Sequence, residues 1–191
     1  MGAGSMLTRE KILELLSKIG ENLLAQGLHG EILLTGGAAM CLVHSARDAT
    51  KDIDAIYEPK AIINRIAAQI AEQENLPSNW LNDGVKGFLG SNVPTEEFIK
   101  LNGMFVQTVS AEYLLSMKLM AARYGEKDYD DIRFLMDKLG ITTVEQAQDV
   151  ILAYFRQNQI LPKTNYIIEE LTAERQGRQN LRREGNENSE L

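Results

Sequence analysis

The stretch EILLTGGAAMCLVHSARDATKDIDAIYEP, residues 31–59, decides the reading of this chain. It sets Gly36-Gly37 behind one apolar run and two carboxylates, Asp52 and Asp54, inside the next. Side chains of a strand alternate between faces, so Asp52 and Asp54 project the same way, about 7 Å apart, while Ile53 projects the other way. Neighbouring acids repel. A divalent cation between them accounts for the arrangement, because Mg²⁺, or Mn²⁺ in its place, takes carboxylates together with phosphate oxygens and water. Asp is a poor strand former, which makes the pattern uncommon; the plain alternative is a surface strand bearing two solvated acids. The glycines let a ligand approach the backbone, and a helix starting there offers free N–H groups to an anion. Alone they would read as an ordinary turn.

Working outward, residues 8–26 carry Ile12, Leu16, Ile19 and Leu23 at helical spacing and predict an amphipathic helix ending near Gly27. Residues 31–35 read as a buried strand, 38–44 as a short apolar helix and 51–57 as a second strand. Pro59 starts a helix to about residue 73, with Ile62, Ile63, Ile66 and Ile70 as its core stripe. Residues 77–94 are rich in Gly, Asn and Ser and read mostly as loop, pinned by Trp80 and Phe88. Residues 97–101 and 104–109, joined by Asn102-Gly103, predict a hairpin with a type I′ turn. Beyond Ser110 the pattern predicts helices at 111–124, 127–139, 144–157 and 163–174, with Gly125, Gly140 and Pro162 as breaks.

The expected class is α+β: a small mixed sheet flanked by helices over residues 6–109, then a helical bundle over 110–175. The polar tail 176–191 is expected to be flexible or peripheral. Residues 1–5, MGAGS, read as a remnant ahead of Met6 and outside the fold. At 191 residues the chain is expected to be one domain, or one domain with a helical annex. A net charge of −7 argues against a surface for non-specific nucleic-acid binding, so a polyanionic partner must be met by a few placed cations. The single cysteine, Cys41, excludes an intrachain disulfide and reads as core. His29 and His44 lack partners at zinc-ligand spacing. No apolar run approaches a membrane span and no signal peptide opens the chain, so a cytoplasmic protein is expected.

Gly36-Gly37, fourteen intervening residues and Asp52-Ile53-Asp54 resemble the signature of the nucleotidyltransferase superfamily that includes polymerase beta. Arg47 and Thr50, together with SAEYLLSMKLMAARYGEKDYDDIRFLMDKLGI (residues 110–141), look like the bacterial branch containing AbiEii-type toxins and related nucleotidyltransferases. The resemblance covers about residues 33–141. It implies Mg²⁺-dependent transfer of a nucleoside monophosphate from a nucleoside triphosphate to an acceptor: an RNA such as a transfer RNA, a protein or a small molecule. A toxin role in a toxin–antitoxin pair is implied with it. Asp52 and Asp54 would hold the metal, and Gly36, Gly37, Arg47, Thr50 and Arg123 would contact the nucleotide.

Along residues 111–124 one stripe is Ala111, Leu114, Leu115, Lys118 and Ala122, and Met117, Met120 and Ala121 make the other side apolar too. A helix apolar all round is buried, and a lysine in it requires an anionic partner. Asp128 or Asp131 would serve; so would a triphosphate, which the resemblance favours. Asp128 and Asp131 share a face, and acids in a first turn cap a helix and complement its dipole. The resemblance instead places Asp128 in the active site beside Lys118. Arg123 either holds phosphates or pairs with Glu126. Many superfamily members carry a third acid on a later strand beside the Asp-x-Asp strand, whereas residues 104–109 offer only Gln107 and Thr108 as polar side chains. Asp83, in WLNDGV, is the nearest substitute. The rival reading is therefore a catalytically impaired member of the same fold that binds a nucleotide or a protein.

Overall fold

A computed structural model describes residues 6–88, 93–122 and 128–187, without the side chains of 87–88 and 179–187. The chain divides into two units, Met1–Ser110 and Ala111–Leu191.

The first unit opens with β1 (Leu7–Thr8), which runs straight into α1 (Arg9–Leu24). Thr8 caps that helix: its Oγ1 accepts the Lys11 N–H at 3.3 Å. The predicted stripe of Ile12, Leu16, Ile19 and Leu23 is buried, with Leu15 added. There follow β2 (Gly30–Leu34), α2 (Gly36–Leu42), β3 (Ala49–Thr50), β4 (Ile53–Glu58) and α3 (Lys60–Glu74). After these come β5 (Leu81–Asn82), a 3₁₀ turn at Gly84–Phe88, β6 (Thr95–Leu101) and β7 (Met104–Val109). Five strands form one mixed sheet in the order β5-β4-β2-β7-β6, and β1 pairs with β3 separately. Leu34 lies opposite Ala55 and Ile32 opposite Tyr57. All four are buried, as is Val106, the parallel partner of Ile32. This is the core face of the sheet. The opposite face carries Leu33, Asp54, Ile56 and Gln107, all half-buried.

Three expectations are corrected here. The second strand begins at Ile53, so Asp52 sits in the bend just before it. The region 77–94 contains β5, which pairs with β4 through two residues and is too short to leave a periodicity in the sequence. Trp80 does anchor that region, being 1% exposed with Nε1 donating to Ala67 O at 3.0 Å; the Phe88 side chain lies outside the described residues. The hairpin forms, but Gly103 has φ +76° while Asn102 is not among the positive-φ residues, so its turn is not type I′. That turn closes on α1, where a Cβ on Gly103 would stand 2.7 Å from Leu24 Cγ.

The second unit consists of α4 (Ala111–Ala121), α5 (Asp128–Lys138), α6 (Val144–Leu152), a 3₁₀ turn at Gln157–Gln159 and α7 (Pro162–Glu187). Thr143 and Gln146 form a capping box at the start of α6. Ser116 Oγ donates to Val150 O at 2.9 Å, and Tyr113 meets Tyr154 edge-on with ring centres 5.0 Å apart. The predicted end of the last helix at residue 174 is passed. Arg175 donates to Ile141 O at 2.6 Å and pairs with Asp137 at 3.0 Å, and the Glu, Arg, Gln and Leu residues beyond it are good helix formers. Among the described residues no helix is long and apolar enough to cross a membrane.

Candidate functional site

The glycines and the acids meet where β2 ends. Beyond the last β2–β4 pair, the Asp54 carbonyl accepts two bonds from Thr35, from its N–H and its Oγ1, both at 3.0 Å. Thr35 is fully buried, so the backbone of Asp54 is held from the core side. The chain then turns through Gly36 at φ +54°, where a Cβ would lie 2.8 Å from Asp54 Oδ2. Any side chain there would be strained by the backbone and crowded by the carboxylate. A Cβ on Gly37 would overlap Thr50 Oγ1 and approach Arg47 Nη1 to 3.3 Å. Thr50 is fixed in turn by β3, which pairs with β1 through Leu7 opposite Thr50. Six of the residues singled out in the sequence, Gly36, Gly37, Arg47, Thr50, Asp52 and Asp54, are thus gathered where β2 ends and β4 begins, with β3 alongside.

Asp52 and Asp54 are both half-buried. Burial, and then the charge of Asp54, push the Asp52 carboxyl above its ordinary 3.8; Lys51 offsets this in part. The two acids are therefore close enough to repel, although Asp52 lies in the bend ahead of the strand. Among the described residues neither is ion-paired, and no group of three or more His, Cys, Asp or Glu side chains is placed to hold a metal. The donor set suits a hard cation that takes its remaining oxygens from water and phosphate. Asp52 and Asp54 would be its protein ligands.

Asp83, the substitute third acid, is committed elsewhere: it forms an ion pair with Lys60, whose bond holds its carboxyl below the usual range. β7 is not next to β4 either, because β2 lies between them. The residue beside Asp54 on the neighbouring later strand is Asn82, which stands opposite it in the parallel β4–β5 register. Sequence reasoning passed over Asn82 because its strand was not recognised. Cys41 is 1% exposed in α2 and burial pushes its thiol up, in keeping with a core residue.

Lys118, Asp128 and Asp131 meet within the second unit. Lys118 Nζ lies 2.7 Å from Asp128 Oδ1 and 2.8 Å from Asp131 Oδ2, so both aspartates named as its internal partners are engaged. Asp131 is only 2% exposed. Arg123, assigned to the nucleotide by resemblance, and Glu126 lie outside the described residues.

No family model and no curated protein matches the chain. Among solved structures it is similar to an antigenic nucleotidyltransferase-like protein from Paracoccidioides brasiliensis, at 14% identity and a TM-score of 0.44, over 86% of this chain and 95% of that one.

Proposed function

We propose that the first unit binds a nucleoside triphosphate with Mg²⁺ and that the protein transfers a nucleoside monophosphate to an acceptor, releasing pyrophosphate. One observation carries the reading: two unpaired, mutually repelling carboxylates stand against a glycine pair whose backbone is bordered by Thr50 and Arg47. Asp52 and Asp54 hold the cation. When bound, that cation would neutralise phosphate charge and lower the pKa of an acceptor hydroxyl. The absent side chains of Gly36 and Gly37 let Asp54, Thr50 and Arg47 close onto the backbone; there the glycine N–H groups would meet phosphate oxygens, the Arg47 guanidinium supply positive charge and the Thr50 hydroxyl a hydrogen bond. Such transfer is achieved mainly by positioning and electrostatics, so this short roster is sufficient. Lys118 and Asp128 are retained from the motif resemblance as residues whose loss lowers transfer, as is Arg123. The resemblance also supports a bacterial cytoplasmic toxin that modifies RNA, protein or a small molecule.

The test is pyrophosphate release from each of the four triphosphates with Mg²⁺ or Mn²⁺. Asp52→Ala and Asp54→Ala are each expected to lower it about 10²-fold or more. Turnover that persists in both variants sinks the reading. A second reading, nucleotide binding without transfer, is favoured by the lack of a third acidic ligand among the described residues. It predicts metal-dependent thermal stabilisation by triphosphate with no pyrophosphate formed. For the toxin role, growth arrest on expression of the parent and none with Asp54→Ala is the expected pair of results.

A further inference from the structure

We infer that Asn82 is a ligand-positioning residue of this site, donating a hydrogen bond from Nδ2 to the polyphosphate held beside Asp54. The inference rests on the function proposed above and adds a residue that neither the motif nor the resemblance contains.

β5 pairs with β4 through two positions, Ile53 with Leu81 and Asp54 with Asn82. Ile53 and Leu81 are 0% and 6% exposed on the core face. Asp54 and Asn82, both half-buried, therefore share the other face on strands about 4.8 Å apart. The amide has a definite orientation, because its Oδ1 accepts the Gly84 N–H at 3.1 Å. Nδ2, with its two N–H groups, is left without a hydrogen bond among the described residues. A strand of two residues has little stability of its own, yet this one is secured on both sides. Before it, the Trp80 carbonyl accepts the Ile53 N–H at 2.7 Å, and the Trp80 ring is buried. After it, Asp83 pairs with Lys60. These anchors hold a neutral donor on the strand next to the Asp54 carboxylate, where a further acid would repel an incoming polyanion and a donor attracts it.

Asn82→Asp separates the roles, since it keeps the shape and the oxygen that serves Gly84 but replaces the donor with a charge. Calorimetric titration would use tripolyphosphate with Mg²⁺, and separately Mn²⁺ alone, against the parent, Asn82→Asp, Asn82→Ala and Asp54→Ala. The expected result is a loss of about tenfold or more in tripolyphosphate affinity for both Asn82 variants, the size of one hydrogen bond to a charged group. Asn82→Asp should retain Mn²⁺ binding and an unchanged unfolding midpoint. Tripolyphosphate affinity that is unchanged in Asn82→Asp overturns the inference and leaves Asn82 a turn former. Affinity that rises also overturns it and makes the position a metal ligand. Failure of the parent to bind Mn²⁺, or equal binding by Asp54→Ala, instead removes the proposed site itself.

Discussion

Each unit of this protein carries a pair of aspartates close in sequence, and the two pairs are treated in opposite ways. Asp128 and Asp131 in the second unit share Lys118, whose ammonium lies within 2.8 Å of both. Asp52 and Asp54 in the first unit have no ion pair among the described residues, and their repulsion helps to raise the Asp52 carboxyl. Among the described residues the chain answers one pair with its own cation and gives the other none, which is where the proposed cation would stand. An acidic pair by itself thus says little. The presence or absence of an internal counter-charge is what separates the two pairs, and unrelieved repulsion is a cost that functional sites commonly carry.

The comparison breaks most readily at Lys118. Lys118→Met should destabilise the protein by about 3–5 kcal/mol in urea unfolding, because the buried Asp131 and its neighbour Asp128 lose the ammonium between them. Adding Asp131→Asn should recover part of the loss. A single variant as stable as the parent would mean that the lysine is not what holds the second pair. Gly36→Ala comes next, at about 1–3 kcal/mol, from a Cβ forced into a left-handed backbone beside the Asp54 carboxylate. Thermal melts measure it, and Gly140→Ala, also at positive φ but with open space around it, is the control that isolates the crowding.

Asp52→Asn sharpens the contrast because its effect has the opposite sign. The folded state holds this carboxyl's proton more tightly than the unfolded chain does, so the parent loses stability as pH rises from the ordinary 3.8 through the raised value. The variant should therefore be more stable at neutral pH by about 0.5–1 kcal/mol after allowance for solvent screening, with the difference disappearing in acid. Mn²⁺ should reverse the ranking by stabilising the parent alone. A variant less stable at neutral pH would contradict the repulsion. The smallest effect belongs to Glu74, which has the reverse ratio of charges: one carboxylate flanked by Lys11 and Lys18, bonds that lower it to about 2. Its contribution is present above the ordinary 4.5 and is lost as pH falls from there through about 2. Glu74→Gln should lower the melting temperature slightly at pH 7 and flatten its fall over this acid window by the same small amount, since the network sits in water.

The residues of the first acidic pair and the glycines were legible because their chemistry is written locally, in residue types that a strand and a turn would otherwise avoid. α1 and the β6–β7 hairpin were legible through periodicity and turn residues. The placement of Asn82 was not, because a strand of two residues exists only as a partner for β4 and has no signal of its own. The start of β4 was misjudged for the same reason: whether Asp52 counts as strand is decided by its neighbours across the sheet. For Lys118 the sequence narrowed the internal partners to two aspartates, and both are used. Helix periodicity predicts that such a lysine is enclosed; the packing of α5 on α4 determines how many acids reach it.

Leu7, fully buried, pairs with Thr50, and Thr50 abuts Gly37, so the front of the chain is mechanically joined to the glycine turn beside Asp54. Met6, one residue earlier, is 44% exposed. A thiol-reactive fluorophore on Met6→Cys would label that position selectively, since Cys41 is buried and its thiol poorly ionised. Its emission would test the proposed nucleotide binding from outside the glycine turn, turning the first strand into an optical reporter that touches neither carboxylate.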